Sequence, residues 1–237
     1  MNEPACPRGG TKPMRHIICL AATLAVIPPA LPGQVEIVDQ GRFVITRDGR
    51  RIGTEDFVIR RAPSAGGDVF TGTATVAYSD RRLAPALRTD PKGSPLAYQM
   101  EIRVGPEVKE SLRGQIGRGR FSARVRTPGG ESAKEYIVSD GAIILDDEVF
   151  HQYYFLGMNA RSGSVPVVVP RRNEQLTMRV QDGGSETVEI SGTRVAARHL
   201  EVHDPGGTAR HIWLDSQGRV LKVTINGVTA TRDELPR

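Results

Sequence analysis

One segment of this chain carries helical periodicity, while nearly all the other apolar residues alternate two by two. It reads DDEVFHQYYFLG and spans residues 146–157. Asp146 or Asp147 suits an N-cap, Glu148 suits the positive end of a helix dipole, and Gly157 suits the position just past the last turn. A helical wheel puts Val149, Phe150, Tyr153, Tyr154 and Leu156 on one broad face, with Glu148, His151 and Gln152 opposite. Four of the twelve aromatic residues fall between Phe150 and Phe155, so the helix stores much of the chain's large apolar surface. A single amphipathic helix among strands must bury its greasy face on a sheet. The expected fold is therefore mainly β: an antiparallel curved sheet or incomplete β-barrel with one principal covering helix.

The strand signals support this. Phe43 to Thr46 and Ile52 to Arg60 flank Asp48-Gly49, a strong two-residue hairpin signal. Phe70, Gly72, Ala74, Val76 and Tyr78 alternate with threonines and a serine, giving one buried and one solvated face. Tyr98, Met100, Ile102 and Val104 share a face in the same way. Pro85 interrupts Leu83 to Thr89 and predicts an edge or a bulge, because proline offers the ladder no N–H. Asp182-Gly183-Gly184 predicts a turn. Phe121, Ala123 and Val125 alternate with Arg118, Arg120, Arg124 and Arg126; the arginines read as a solvated outer face rather than an anion-binding one. Residues 87–100 echo residues 212–225, matching Asp90 with Asp215, Gly93 with Gly218, and Leu96, Tyr98 and Met100 with Leu221, Val223 and Ile225. A weak internal duplication is one reading of that echo; common Asp-x-x-Gly turn chemistry is another.

The N-terminus predicts export. Met14-Arg15-His16 is a short basic start, Ile17 to Ile27 an apolar run, and Pro28 to Gly33 a breaker-rich exit. Residues 1–33 read as a signal peptide with an over-extended start before Met14, and residues 34–237 as a single β half-barrel domain. The apolar run is eleven residues, short for a membrane span, so no transmembrane anchor is expected after cleavage following Ala30 or Gly33. The expected location is periplasmic or secreted. Cys6 and Cys19 both lie in the leader, which leaves the expected mature chain without a thiol or disulfide. Losing the leader lowers the net charge from +5 to +3, too mild a balance to imply nucleic acid. Hydrophobic residues make up 38%, with 26 Gly and 16 Pro, which fits short strands joined by tight turns.

Three features together resemble a family of exported bacterial proteins of unknown function, the DUF3108/DUF6134-like group. They are Asp48-Gly49-Arg50-Arg51-Ile52-Gly53, the aromatic helix after Asp146-Asp147, and HIWLDSQGRVLKVTI at residues 211–225. The group's fold is similar to the open β half-barrel of the lipoprotein carrier proteins (LolA-like), where helices cover a curved sheet with an apolar inner surface. The resemblance implies a sheet able to hold an acyl chain under the Phe150–Leu156 helix. It supplies no catalytic residues.

The expected function is non-catalytic binding of a hydrophobic or amphiphilic ligand, such as a lipid acyl chain, in the bacterial envelope. The candidate lining is Tyr98, Met100, Phe150, Tyr153, Tyr154, Leu156, Val223 and Ile225. An ordinary closed core is the competing reading, with the protein then a structural or assembly partner of another envelope protein. A third reading, from another class, is a metal-dependent hydrolase. His199, Glu201 and His203 would share one strand face, with the two histidines about 13 Å apart. That is too far for one metal unless His211 joins them, which a three-residue turn after His203 allows and a two- or four-residue turn forbids. His151, beside Asp146, Asp147 and Glu148, is a lesser acid–base candidate. There is no G-x-S-x-G, no phosphate-binding loop with lysine and no H-E-x-x-H, and no cofactor or metal is expected.

Overall fold

The computed structural model describes Met1 and residues 34–158 and 162–236. The expected signal peptide, residues 1–33, falls outside the described residues apart from Met1. Among the described residues no helix is long and apolar enough to cross a membrane.

Residues 33–237 form one unit dominated by a single large, open, curved sheet. Its first half is a meander: β1 (Glu36–Arg47), β2 (Arg50–Ala62), β3 (Val69–Tyr78), β4 (Arg82–Thr89), β5 (Pro95–Val104), β6 (Glu107–Gly117), β7 (Arg120–Thr127) and β8 (Gly130–Ile137). After β9 (Ile143–Ile144) and the helix α1 (Tyr153–Met158), a second meander runs through β10 (Gly163–Val169), β11 (Glu174–Ile190), β12 (Thr193–His203), β13 (Ala209–Leu214), β14 (Val220–Ile225) and β15 (Val228–Arg232). β15 pairs back onto β1, so β8 and β9 become the two free edges. Every pairing is antiparallel except β9 with β10. Near the gap between the edges, Gln175 accepts the Ser139 N–H at 2.9 Å and Lys134 donates to the Arg171 carbonyl at 3.4 Å. Side chains, not a ladder, bridge the two sides. The incomplete barrel is the expected fold.

Local chemistry explains the strands. Arg47 pairs with Arg50 across Asp48 (φ 50°) and Gly49 (φ 76°), the left-handed pair that a tight hairpin needs. The outward arginines of β7 are exposed and meet β8 carboxylates: Arg126 lies 2.6 Å from Glu131, and Arg120 lies 3.4 Å from Glu135. Two expectations need correcting. Pro85 lies in an interior strand, and the β3–β4 ladder accommodates its missing N–H by skipping from Thr73↔Ala86 to Val76↔Leu83. Asp182-Gly183-Gly184 does not reverse the chain. It is a bulge inside the 17-residue β11, with the Gly184 N–H donated to Asp182 Oδ1 at 2.9 Å.

The echoed turns have the same geometry. Asp90 and Asp215 each accept two backbone N–H groups through one carboxylate oxygen, at 2.8 to 2.9 Å, with Gly93 and Gly218 at φ 77° and 78°. Asp204-Pro-Gly-Gly-Thr208 folds alike: Asp204 accepts the Thr208 N–H at 2.9 Å, and Gly207 has φ 83°. Turn chemistry thus accounts for the matched Asp and Gly. Of the matched apolar residues, Leu96 is exposed and Leu221 joins a small separate cluster with Val188, Ile190 and Ala197.

The interior is filled by the chain itself. From Val138 to Leu156 almost every apolar residue is buried, and this crossing segment packs against the inward side chains of the sheet, including Phe43, Ile45, Leu87, Tyr98 and Met100. The helix expected over residues 146–157 is shorter than the pattern suggests; α1 has six residues. Asp146 and Asp147 do not cap it, and Glu148 sits at φ 64°, outside any right-handed helix. The turn leading into α1 donates its free N–H groups to Glu55 of β2, from Phe150 at 2.7 Å and from His151 at 3.0 Å. His151 and Gln152, expected on a solvated face, are fully buried. His151 Nδ1 lies 2.5 Å from Glu55, and Gln152 accepts the Asp146 N–H at 2.7 Å. His151 thus works within the core and away from the acids next to it in sequence. Gly72 makes this possible, since a Cβ there would approach the His151 ring at 3.1 Å.

Candidate functional site

The turns β1–β2, β3–β4, β10–β11, β12–β13 and β14–β15 gather around one mouth of the half-barrel, where Asp48 N–H donates to the Gly227 carbonyl at 3.3 Å. Between these turns and the crossing segment lies a cleft of about 620 Å³, within the range of small-molecule sites. Its floor is apolar: Ile52, Leu145, Val149, Phe150, Val169, Met178, Ile225 and Val228. Charged side chains paired with one another form its rim. Arg81 lies 2.5 Å from Glu148 and 4.8 Å from the centre of the Tyr78 ring, Arg172 grips Asp147 at 2.7 Å, and Arg210 lies 3.2 Å from Asp204. At the back, Tyr98 donates its hydroxyl to Asp146 at 2.7 Å, and Arg171 approaches the same carboxylate at 3.1 Å.

The eight candidate lining residues divide. Phe150, Tyr153 and Ile225 reach the cleft. Tyr98, Met100, Tyr154, Leu156 and Val223 are buried and do not border it. The space therefore opens beside the start of α1 rather than beneath it. Sequence pattern missed the remaining wall, including Arg81, Arg172 and Arg210. Arg81 and Arg172 come from turns, where no periodicity marks a shared surface, and Arg210 is the second residue of β13, just past one.

All five tyrosines titrate above the ordinary phenol value, and burial is the leading cause for each. Tyr136 and Tyr153 are pushed up to about 12, and the neighbouring Asp146 carboxylate adds to the upward push on Tyr98. The folded state therefore holds phenolic protons that the unfolded chain releases from about pH 10. Stability is intact below that pH and falls as pH rises through the higher folded values. Phenolate absorbance should stay flat through pH 10 and then rise together with loss of native circular dichroism. A tyrosine ionising at its ordinary value in the folded protein would contradict this.

A second cluster lies on the outer face. Asp204 and Thr208 pair around a three-residue turn, residues 205–207, so Glu201 stands opposite His211 and His199 opposite Trp213. The turn length that brings His211 alongside is the one adopted. His199 Nε2 lies 3.0 Å from His211 Nδ1, and ligand atoms of His199, Glu201 and His211 lie within 4.8 Å of one another. His203 stands at the margin, 3.5 Å from the Glu201 carboxylate.

No curated protein matches this chain. Residues 120–232 match the model of a domain of unknown function, DUF6134, a span that begins with β7 and ends with β15. Among solved structures, the chain is similar to a β-barrel-like protein of domain of unknown function DUF1849 from Brucella abortus. The two are 11% identical with a TM-score of 0.52, over 84% of this chain and 97% of that one. A DUF1089 family protein from Pseudomonas aeruginosa is 14% identical with a TM-score of 0.39, over 89% and 95% of the two chains. At such identity the DUF1849 likeness concerns the fold alone. From β7 to β15 this chain is thus similar to DUF6134, and over most of its length it shares a β-barrel-like fold with the DUF1849 protein.

Proposed function

We propose that this chain is an exported envelope protein that binds an amphiphilic molecule, without catalysis, in the mouth of its half-barrel. The observation that carries this reading is the cleft of about 620 Å³, whose apolar floor is ringed by ion-paired side chains. Such a site suits an apolar tail lying over Phe150 and Val228, with a polar head among the Arg–carboxylate pairs. Acids and bases are nearly balanced around the rim, so a neutral or zwitterionic head fits better than a strongly anionic one. The resemblance to carrier half-barrels agrees with this use of the fold, although here the crossing segment fills the interior and leaves the mouth.

Solvent extraction of the purified chain followed by mass spectrometry should yield a co-purifying amphiphile. Val228→Trp, which places a large ring in the cleft, should weaken binding of a fluorescent fatty-acid probe by about tenfold or more, roughly 1.4 kcal/mol. A clean extract with no displaceable probe would favour the second reading, an assembly partner. That reading gains from the five candidate lining residues sealed in the core.

A further inference from the structure

We propose that the outer face of β12 and β13 carries a binding site for one late first-row divalent metal ion, Zn²⁺ or Cu²⁺, held by His199, Glu201 and His211. The site is separate from the mouth cleft and does not depend on the amphiphile reading. Strand alternation puts His199 and Glu201 on one face, and the three-residue turn brings His211 opposite Glu201. The pairing thus adds a third ligand from the neighbouring strand to two that alternation already sets on one face.

The supporting shell is already in place. His199 is 5% exposed, and its Nδ1 lies 2.8 Å from Glu186. The other Glu186 oxygen accepts the Trp213 indole N–H at 2.8 Å. A carboxylate on one imidazole nitrogen is the arrangement that fixes the tautomer of a metal-binding histidine. With its hydrogen on Nδ1, His199 turns an Nε2 lone pair toward His211. Trp213 stacks on the His199 ring at 4.8 Å and 9°, which locks the ring plane. The bulge glycine Gly183 leaves the ring room, since a Cβ there would lie 2.7 Å from His199 Nδ1.

The spacing suits coordination. Two nitrogens bound at about 2.0 Å in a tetrahedral shell sit about 3.3 Å apart, and the His199–His211 pair stands at 3.0 Å. On binding, His211 carries its hydrogen on Nε2 and offers Nδ1, while a Glu201 oxygen swings in as the third ligand. Two imidazoles and one carboxylate match zinc or copper; calcium and magnesium prefer all-oxygen shells. Glu201 and His211 are partly exposed, which leaves a path for the ion and a solvent-filled fourth position.

The test uses the full chain without an affinity tag. Trp213 is its only tryptophan and touches His199, so Cu²⁺ should quench intrinsic fluorescence saturably at one equivalent. Zn²⁺ should bind at one equivalent by calorimetry and relieve the quenching by competition. His211→Gln and Glu201→Gln alter partly exposed residues and should each weaken binding at least about tenfold, Glu186→Gln by about tenfold through orientation, and His203→Gln little. Circular dichroism confirms that each variant is folded. Absence of saturable quenching and of calorimetric zinc binding in the wild-type chain would overturn the site. So would unchanged affinity in folded His211→Gln and Glu201→Gln variants.

Discussion

Glu55→Ala is expected to destabilise the fold by about 3–5 kcal/mol. Glu55 is fully buried and accepts three groups from the crossing segment: the N–H of Phe150, the N–H of His151 and the His151 imidazole at Nδ1. Truncation leaves all three without an acceptor in a dry interior, where each orphaned donor costs about 1–3 kcal/mol before relaxation. Glu55→Gln should cost less, because it keeps one acceptor oxygen but turns a donor toward the others. Urea unfolding measures both changes. A loss below about 1 kcal/mol for the alanine variant would mean that water reaches these donors and that the pairing is not structural. Phe150 lines the cleft floor, so the same variant should also weaken amphiphile binding under conditions where it remains folded.

The seam between the first and last strands should respond as strongly. Arg232 of β15 donates to the Val220 and Gln40 carbonyls at 2.5 and 3.0 Å and to Asp39 of β1 at 2.5 Å, with its guanidinium near the rings of Phe43 and Phe57. Both members of the ion pair are buried, and Gly41 leaves the space the guanidinium occupies. Arg232→Met strands the Asp39 carboxylate and should cost about 3–5 kcal/mol. The double variant Asp39→Leu with Arg232→Met removes the stranded charge and should recover about half of that loss. The two carbonyls still lose the arginine donor, so full recovery is not expected. Burial already raises the Asp39 pKa above its ordinary value, with Arg232 opposing the rise. Removing the arginine should raise it further. The folded state of the single variant then holds this proton more tightly than the unfolded chain, so its stability should increase as pH falls through the raised value toward 3.8. Equal losses in the single and double variants, at all pH values, would show that the arginine contributes packing alone.

Much of the fold was legible because strands and turns are short-range matters. The alternation of Phe70 to Tyr78 and of Phe121 to Val125, and the left-handed pair Asp48-Gly49, each need only a few neighbouring residues to act. The Asp-x-x-Gly turn at Asp90, Asp204 and Asp215 is likewise complete within five residues. The aromatic cluster at Phe150 to Phe155 is buried, as its concentration of apolar surface suggests. Its helix is shorter than the local pattern suggests because the partner for the N–H groups ahead of it sits 95 residues earlier in the chain. Local capping by Asp146 or Asp147 was the only competitor visible in one dimension. The Asp182–Gly184 segment misled for a related reason: glycine beside aspartate suits a bulge as well as a turn, and only pairing with β12 chooses between them.

The sequence alone determined that the chain is a β protein with one aromatic segment to bury, since periodicity and turn residues act over a few positions. The tertiary structure decided that the helix would start late, at Tyr153, with Glu55 taking the N–H groups just ahead of it, and that the free volume would lie at the mouth. It also decided that a three-residue turn would set His211 against Glu201. Those outcomes depend on contacts between residues far apart in the chain, whose strength comes from the dryness and geometry of an assembled interior, not from any local pattern.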